Sequence, residues 1–232
     1  MTSGIRAVSL AAMTLLAPVV ASANDAVPAP SSGFYILGRI GTALPIDQDV
    51  EFTLLGKGEY DPDSGIGFNA AVGKHLGDGW RAEVSYRYLR GNDGEVKFDI
   101  GLDFQLEGHG ESHNVMFNVL RTVGSFDTMF GTVEPFVGAG IGFQVLDKSD
   151  IKLGTPFNPP LDFTDDGTDT VFAAAVHAGY EMQLRPGVAL TSQWTLNWAD
   201  EGKFSSFIPG FSTTRDAQVE VTTFTGLRFD LN

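Results

Sequence analysis

The sequence predicts an all-β protein, an eight-stranded antiparallel barrel that crosses a membrane with its strands. Three observations carry this expectation. Eight segments of about ten residues alternate apolar with small or polar positions at a period of two. The connections between them switch regularly between short and long. The chain also opens on an apolar run that ends in a small-x-small cleavage pattern.

That opening reads M-T-S-G-I-R, then an apolar stretch from Ala7 to Val20, then Ala21-Ser22-Ala23. The run is shorter than the ~20 residues a spanning helix needs. A signal peptide over 1–23, cleaved after Ala23, is therefore expected, followed by a polar, Pro- and Ser-bearing lead over 24–33 and the barrel over 34–232. The chain has no cysteine, which excludes disulfides and thiol chemistry. No later stretch is apolar for long enough to span as a helix, so any membrane crossing falls to strands. A net charge of -14 argues against nucleic acid as a partner.

The first strand starts at Phe34 and breaks at Pro45. Phe34, Ile36, Gly38 and Ile40 form one face, and Tyr35, Leu37, Arg39 and Gly41 the other. In the second, Ile66 to His75, Ile66, Phe68, Ala70 and Val72 oppose Gly67, Asn69, Ala71 and Gly73, and Gly77-Asp78-Gly79 supplies a tight hairpin. The third has Trp80, Ala82, Val84, Tyr86 and Tyr88 against Arg81, Glu83, Ser85 and Arg87. A lipid-facing wall around a charged interior explains both rows, and a half-buried soluble sheet would explain this strand equally well.

The fourth strand, about His113 to Val123, alternates Val115, Phe117 and Val119 with Asn114, Met116 and Asn118. The fifth, Glu134 to Val145, has an unbroken apolar row of Val137, Ala139, Ile141, Phe143 and Val145. Its other row is Phe136, Gly138, Gly140, Gly142 and Gln144. Three alternate glycines weaken a strand unless something needs the space above them, as in a small closed barrel. The sixth strand, Phe172 to Met182, sends Ala173, Ala175, His177, Gly179 and Glu181 inward. After Arg185-Pro186-Gly187 the seventh sets Val188, Leu190, Trp194, Leu196 and Trp198 against Ala189, Thr191, Gln193, Thr195 and Asn197, with only Ser192 interrupting the apolar row. The eighth, Gln218 to Leu231, turns Glu220 and Arg228 inward.

The connections decide between barrel and sandwich. Gly77 to Gly79, Gly124 to Gly131 and Arg185 to Gly187 are short, and they alternate with long segments at 45–64, 90–112, 147–170 and 199–217. Short periplasmic turns at one end and long extracellular loops at the other are the pattern of outer-membrane barrels. The long segments hold 21 of the 29 acidic residues, six in each of the first three and three in the last. Exposed, soluble loops account for this charge, as would divalent-cation bridging to lipopolysaccharide or contact with another surface. Asp61 to Gly65 and Asp162 to Asp169 lack the full ligand spacing of a calcium loop, and no metal or cofactor is expected.

Three stretches carry a family resemblance. Glu134 to Val145, with its P-F-V-G-A-G-I-G core, is similar to the P-Y-V-G-A-G-x-G segment of the opacity-type porins and surface-antigen outer-membrane barrels of alphaproteobacteria. Arg81 to Tyr88 (R-A-E-V-S-Y-R-Y) resembles that family's third strand, and Gly226 to Leu231 (G-L-R-F-D-L) its closing G-L-R-Y-R-F. The family's usual terminal aromatic is replaced here by Leu231 followed by Asn232. The resemblance implies an integral protein of the cell outer membrane, in contact with its lipid and lipopolysaccharide.

An eight-stranded barrel is only wide enough for side chains to fill it. The inward rows supply Arg39, Arg81, Glu83, Arg87, His177, Glu181, Glu220 and Arg228, and a charge-paired plug is expected near the short-turn end. No catalytic residue is assigned. Ser112, His113 and Glu111 are the candidates for a lipid-A-modifying hydrolase, but neighbours on a strand point to opposite faces. The expected role is structural or surface-interacting, in envelope integrity, adhesion or antigenicity, with a host-surface or envelope partner met through the acidic loops. A narrow porin-like channel is the alternative.

Overall fold

The computed structural model describes residues 33–45, 48–52, 56–62, 64–91, 94–98, 102–154, 161–162, 167–205, 212–215 and 217–231. The expected signal peptide over 1–23 and nearly all of the lead over 24–33 lie outside the described residues. In chain order the strands are β1 (Phe34–Pro45), β2 (Gln48–Phe52), β3 (Gly56–Pro62), β4 (Gly65–Gly77) and β5 (Trp80–Gly91). Next come β6 (Gly94–Phe98), β7 (Leu102–Thr122), β8 (Phe126–Thr128), β9 (Gly131–Gly154) and β10 (Leu161–Asp162). The remainder are β11 (Gly167–Arg185), β12 (Val188–Ala199), β13 (Gly202–Ser205), β14 (Ser212–Arg215) and β15 (Gln218–Leu231).

Eight of these close a ring in the order β1-β4-β5-β7-β9-β11-β12-β15, every neighbour antiparallel, with β15 returning to pair with β1 from Phe34↔Leu231 to Pro45↔Glu220. Closure removes both sheet edges, so each backbone N–H and C=O in the wall meets a neighbour strand, as a hydrocarbon surrounding demands. At the first turn Asp78 and Gly79 both hold positive φ, 50° and 75°. This two-residue Asp-Gly loop matches the twist of the strands it joins.

The rows sort as the period of two requires. Phe34, Ile36, Ile40, Val72, Val84, Phe117, Ile141 and Val176 are exposed on the outer face, while Arg39, Arg81, Glu83, Arg87, Asn114, Asn118, Gln144, His177 and Glu181 are buried inside. This inversion suits a protein whose solvent around the wall is lipid. Ser192 sits on the lipid side, where its hydroxyl meets Thr225 Oγ1 at 3.0 Å and both polar groups are satisfied. Aromatic rings gather at the outer end of the belt in two arcs. Phe68, Tyr88 and His113 touch in series (5.7 and 5.2 Å between centroids), as do Phe143, Phe172 and Trp198 (6.4 Å each). Nearer the short turns, Arg121 lies 5.1 Å over Trp80 and Lys74 5.2 Å over Phe34.

The connections depart from the sequence expectation in two ways. The long segments carry further strands as well as loop. The outer ends of β7, β9 and β11 extend well past the apolar rows, and β6, β3, β2, β14 and β13 pair one onto the next, starting from the outer part of β7. Strands that outrun the membrane would leave rows of unpaired backbone groups, and pairing with the intervening segments covers them. The second short connection likewise contains β8, which folds back on the start of β9 as a small hairpin. The two acid-rich runs weighed as calcium loops lie partly outside the described residues.

Candidate functional site: the charged lumen

Inside the short-turn half of the barrel, side chains from facing strands meet across the lumen. Glu181 on β11 is the centre. Its Oε2 takes Arg81 Nη1 from β5 at 2.6 Å and also accepts from Arg228 Nη1 of β15. Arg228 Nε in turn lies 3.0 Å from Asp230 Oδ1. Glu83 on β5 accepts the Tyr35 hydroxyl at 2.7 Å and sits 3.8 Å from Arg39 Nη2, and Arg39 donates to Gln193 Oε1 on β12. Phe136 lies under Arg81 (4.5 Å from ring centre to guanidinium carbon), and Tyr35 under Arg228 (5.5 Å). The side chains of Arg39, Arg81, Glu83, Glu181 and Arg228 are 2–4% exposed, so each needs its partner, since an unpaired ion in such a place costs several kcal/mol.

A second tier lies further out. Arg87 donates to Glu220 Oε1 at 2.6 Å and to Thr222 Oγ1 at 3.3 Å. His177 Nε2 meets Asn118 Oδ1 at 3.0 Å, its Nδ1 takes the Thr195 hydroxyl and the Gln193 amide at 3.0 Å each, and Asn118 Nδ2 donates to Ser85 at 2.9 Å. Together the two tiers tie seven of the eight wall strands. β4 joins through His75, whose ring lies tilted 4.9 Å from that of Tyr35 and whose Nε2 is 3.4 Å from Asp230 Oδ1. Of the residues singled out from sequence, Arg81, Arg228 and Glu181 form one cluster, Arg39 and Glu83 a second, Arg87 and Glu220 a third, and His177 belongs to an uncharged network. Tyr35, Gln193, Asn118 and Asp230 were not singled out, although their inward parity was legible. Tyr35→Phe is expected to lower unfolding stability by about 1.5–3 kcal/mol, as loss of a hydrogen bond to a buried charge does. A urea titration in detergent micelles checks it, and an unmoved midpoint would show the phenol to be idle.

The glycine row of β9 does not border empty lumen. A Cβ added at Gly138 would overlap Leu120, one at Gly140 would overlap Asn118 Oδ1, and one at Gly142 would come within 2.8 Å of Met116 Sδ. The filling side chains come from β7, in register with the glycines (Leu120↔Gly138, Asn118↔Gly140, Met116↔Gly142), and not from across the barrel. Tyr35 over Gly73 and Phe136 over Gly179 repeat the arrangement. A narrow, curved wall makes large inward side chains lean sideways, and a registered glycine receives each of them. Between the two tiers and the outer amides lies a cavity of ≈ 20 Å³, bordered by Arg39, Glu83, Arg87, Asn118 and His177. That is room for about one water.

A closed eight-strand ring, apolar outside and charged inside, coincides with a match of residues 8–224 to the model of the outer membrane protein beta-barrel domain. The chain belongs to that family. It is an integral protein of the outer membrane, and its surroundings are that membrane's lipid and lipopolysaccharide. Among solved structures, the outer membrane protein OprG of Pseudomonas aeruginosa shares the barrel fold with a TM-score of 0.60 at 13% identity, covering 87% of this chain and 97% of that one. Neisserial surface protein A matches with a TM-score of 0.49 at 15% identity, covering 86% and 98%. Comparison with curated proteins finds no match.

The hydrolase candidates do not assemble. His113 points outward, where Nδ1 meets the Tyr86 hydroxyl at 2.7 Å within the aromatic belt. Ser112 belongs to the inward row beside Leu89 and Leu146. Among the described residues no group of three His, Asp or Glu side chains is placed to hold a metal ion.

Proposed function

We propose that this barrel is a structural and surface-interacting element of the outer membrane, with a lumen closed by its own charged side chains and no catalytic role. The observation that supports this reading is the shared Glu181 site, where two guanidiniums from β5 and β15 meet one carboxylate from β11 across the lumen. The acid-rich outer segments are then the part offered to an envelope or host-surface partner. A narrow channel is the second reading, favoured by the uncharged polar lining further out, where Asn114 and Gln144 are buried and Asn197 Nδ2 donates to Gln144 Oε1 at 3.2 Å.

Single-channel recording of the refolded protein in a planar bilayer separates the two. A silent bilayer is expected from the wild type, with insertion verified independently by protease protection. Discrete, reproducible steps would overturn the closed-lumen reading and establish the channel.

A further inference from the structure

Between the outer aromatic arcs and the short turns, the outward rows of the eight wall strands carry two charges among the described residues, Lys74 on β4 and Arg121 on β7. Both are cations, in a chain whose formal net charge is -14. The acidic groups at this end lie elsewhere. Glu134, Glu181 and Asp230 are on inward rows, and Asp78 and Asp127 belong to the connections beyond. Neither cation has a carboxylate partner among the described residues. Lys74 Nζ lies instead 5.2 Å over the ring of Phe34 from β1, and the Arg121 guanidinium 5.1 Å over that of Trp80 from β5. A cation left unpaired on a lipid-facing wall is costly and calls for an anion.

The register sets the two cations at one depth. Followed sideways from partner to partner, the row that leaves β1 at Phe34 passes Lys74, Ala82 and Val119 and returns to β1 at Leu44, nearer the outer end. Strands so staggered tilt by about 40°, and each sideways step from β1 through β4 and β5 to β7 climbs about 3 Å away from the short turns. Arg121 is two steps on from Lys74 and, opposite Trp80, two residues nearer the turns. Climb and descent nearly cancel, which leaves the two Cα atoms within roughly 2 Å of one depth and about 12 Å apart across β5. Phe34 and Trp80 each stand one step back from its cation, about 3 Å nearer the turns, so each charge reaches down over a ring to the level where headgroups lie. Between the cations, in register with Lys74, is Ala82, the smallest outward residue of β5.

We propose that this sector of β4, β5 and β7 binds an anionic phospholipid of the periplasmic leaflet, its phosphate held between Lys74 and Arg121 and an acyl chain lying over Ala82. Long lysine and arginine stems can close the span on one headgroup. Charge complementarity commits the patch to an anionic lipid, and its place beside the short turns commits it to the phospholipid leaflet and not to lipopolysaccharide. The outward rows of the other five wall strands offer no cation at this depth, so the site is confined to one side of the barrel.

Native mass spectrometry of protein released from mixed phosphatidylethanolamine–phosphatidylglycerol vesicles tests this, each variant first being checked for the compact, heat-modifiable form on a gel. Wild type is expected to retain phosphatidylglycerol over phosphatidylethanolamine by at least about tenfold. Lys74→Gln and Arg121→Gln should each reduce the preference several-fold, and the double variant should abolish it. Arg90→Gln, on the outer part of β5, should leave it unchanged. A double variant with the wild-type preference would overturn the proposal, as would a wild type with none. Loss of the preference in Arg90→Gln alone would place the lipid at the outer leaflet and overturn it equally. None of these outcomes depends on whether the lumen conducts.

Discussion

Replacing Glu181 by alanine is expected to lower the stability of the barrel by about 3–5 kcal/mol, the effect of leaving buried charge without its partner. The loss falls in the upper part of that range because one carboxylate serves two cations, Arg81 from β5 and Arg228 from β15. Arg228 retains Asp230 at 3.0 Å, which leaves Arg81 the more exposed to the change. Glu181→Gln keeps the volume and an acceptor while removing the charge, and should fall between wild type and alanine. Adding Arg81→Ala to Glu181→Ala should recover part of the loss, since removal of both partners strands fewer ions. Urea midpoints followed by heat-modifiable mobility in micelles measure all four proteins. An alanine variant as stable as wild type would show that the cluster does not hold the barrel together.

The second large effect is expected at the seam where the last strand meets the first. A Cβ at Gly226 would overlap the Gly38 carbonyl oxygen and stand 2.6 Å from Arg39 Cα. Both obstacles are backbone, so no side chain can turn aside. Gly226→Val should therefore exceed the ~1–3 kcal/mol of ordinary overpacking and prevent the compact, heat-modifiable form from appearing. Gly38 is the control, one position away in the seam and facing lipid with nothing within 4 Å of an added Cβ. Gly38→Ala should leave folding intact, or improve it by a few tenths of a kcal/mol through lost freedom in the unfolded chain. Refolding of Gly226→Val with wild-type yield would refute the seam argument.

The wall was legible because its signal is local. Alternation along Trp80 to Tyr88 or Glu134 to Val145 needs no knowledge of partners, and one buried face with one lipid face leaves a single parity for each strand. The outer course of paired segments was not legible, since β2, β3, β6, β13 and β14 are short and find their partners far along the chain. The lumen divides the same way. That Arg81 and Glu181 turn inward follows from parity, but that Arg81 selects Glu181 on a facing strand and not Glu83 two residues along its own depends on shear and curvature, which no residue pattern encodes. The glycine row failed in the same sense. Its small size was plain, yet the occupants of the space, Leu120, Asn118 and Met116, are fixed only by the β7–β9 register.

The way the lumen charges are shared along the chain sets an order in time. β1 and β5 carry Arg39, Arg81 and Arg87 against Glu83, while β11 and β15 carry Glu181, Glu220 and Asp230 against Arg228. Each half taken alone holds an excess of one sign, which keeps its inner face hydrated. The excesses cancel only when β15 comes to lie beside β1, bringing Glu220 to Arg87 and Glu181 to Arg81. Zipping of the seam and drying of the interior are then a single late event of assembly, and a half-built barrel stays wet until its two ends meet.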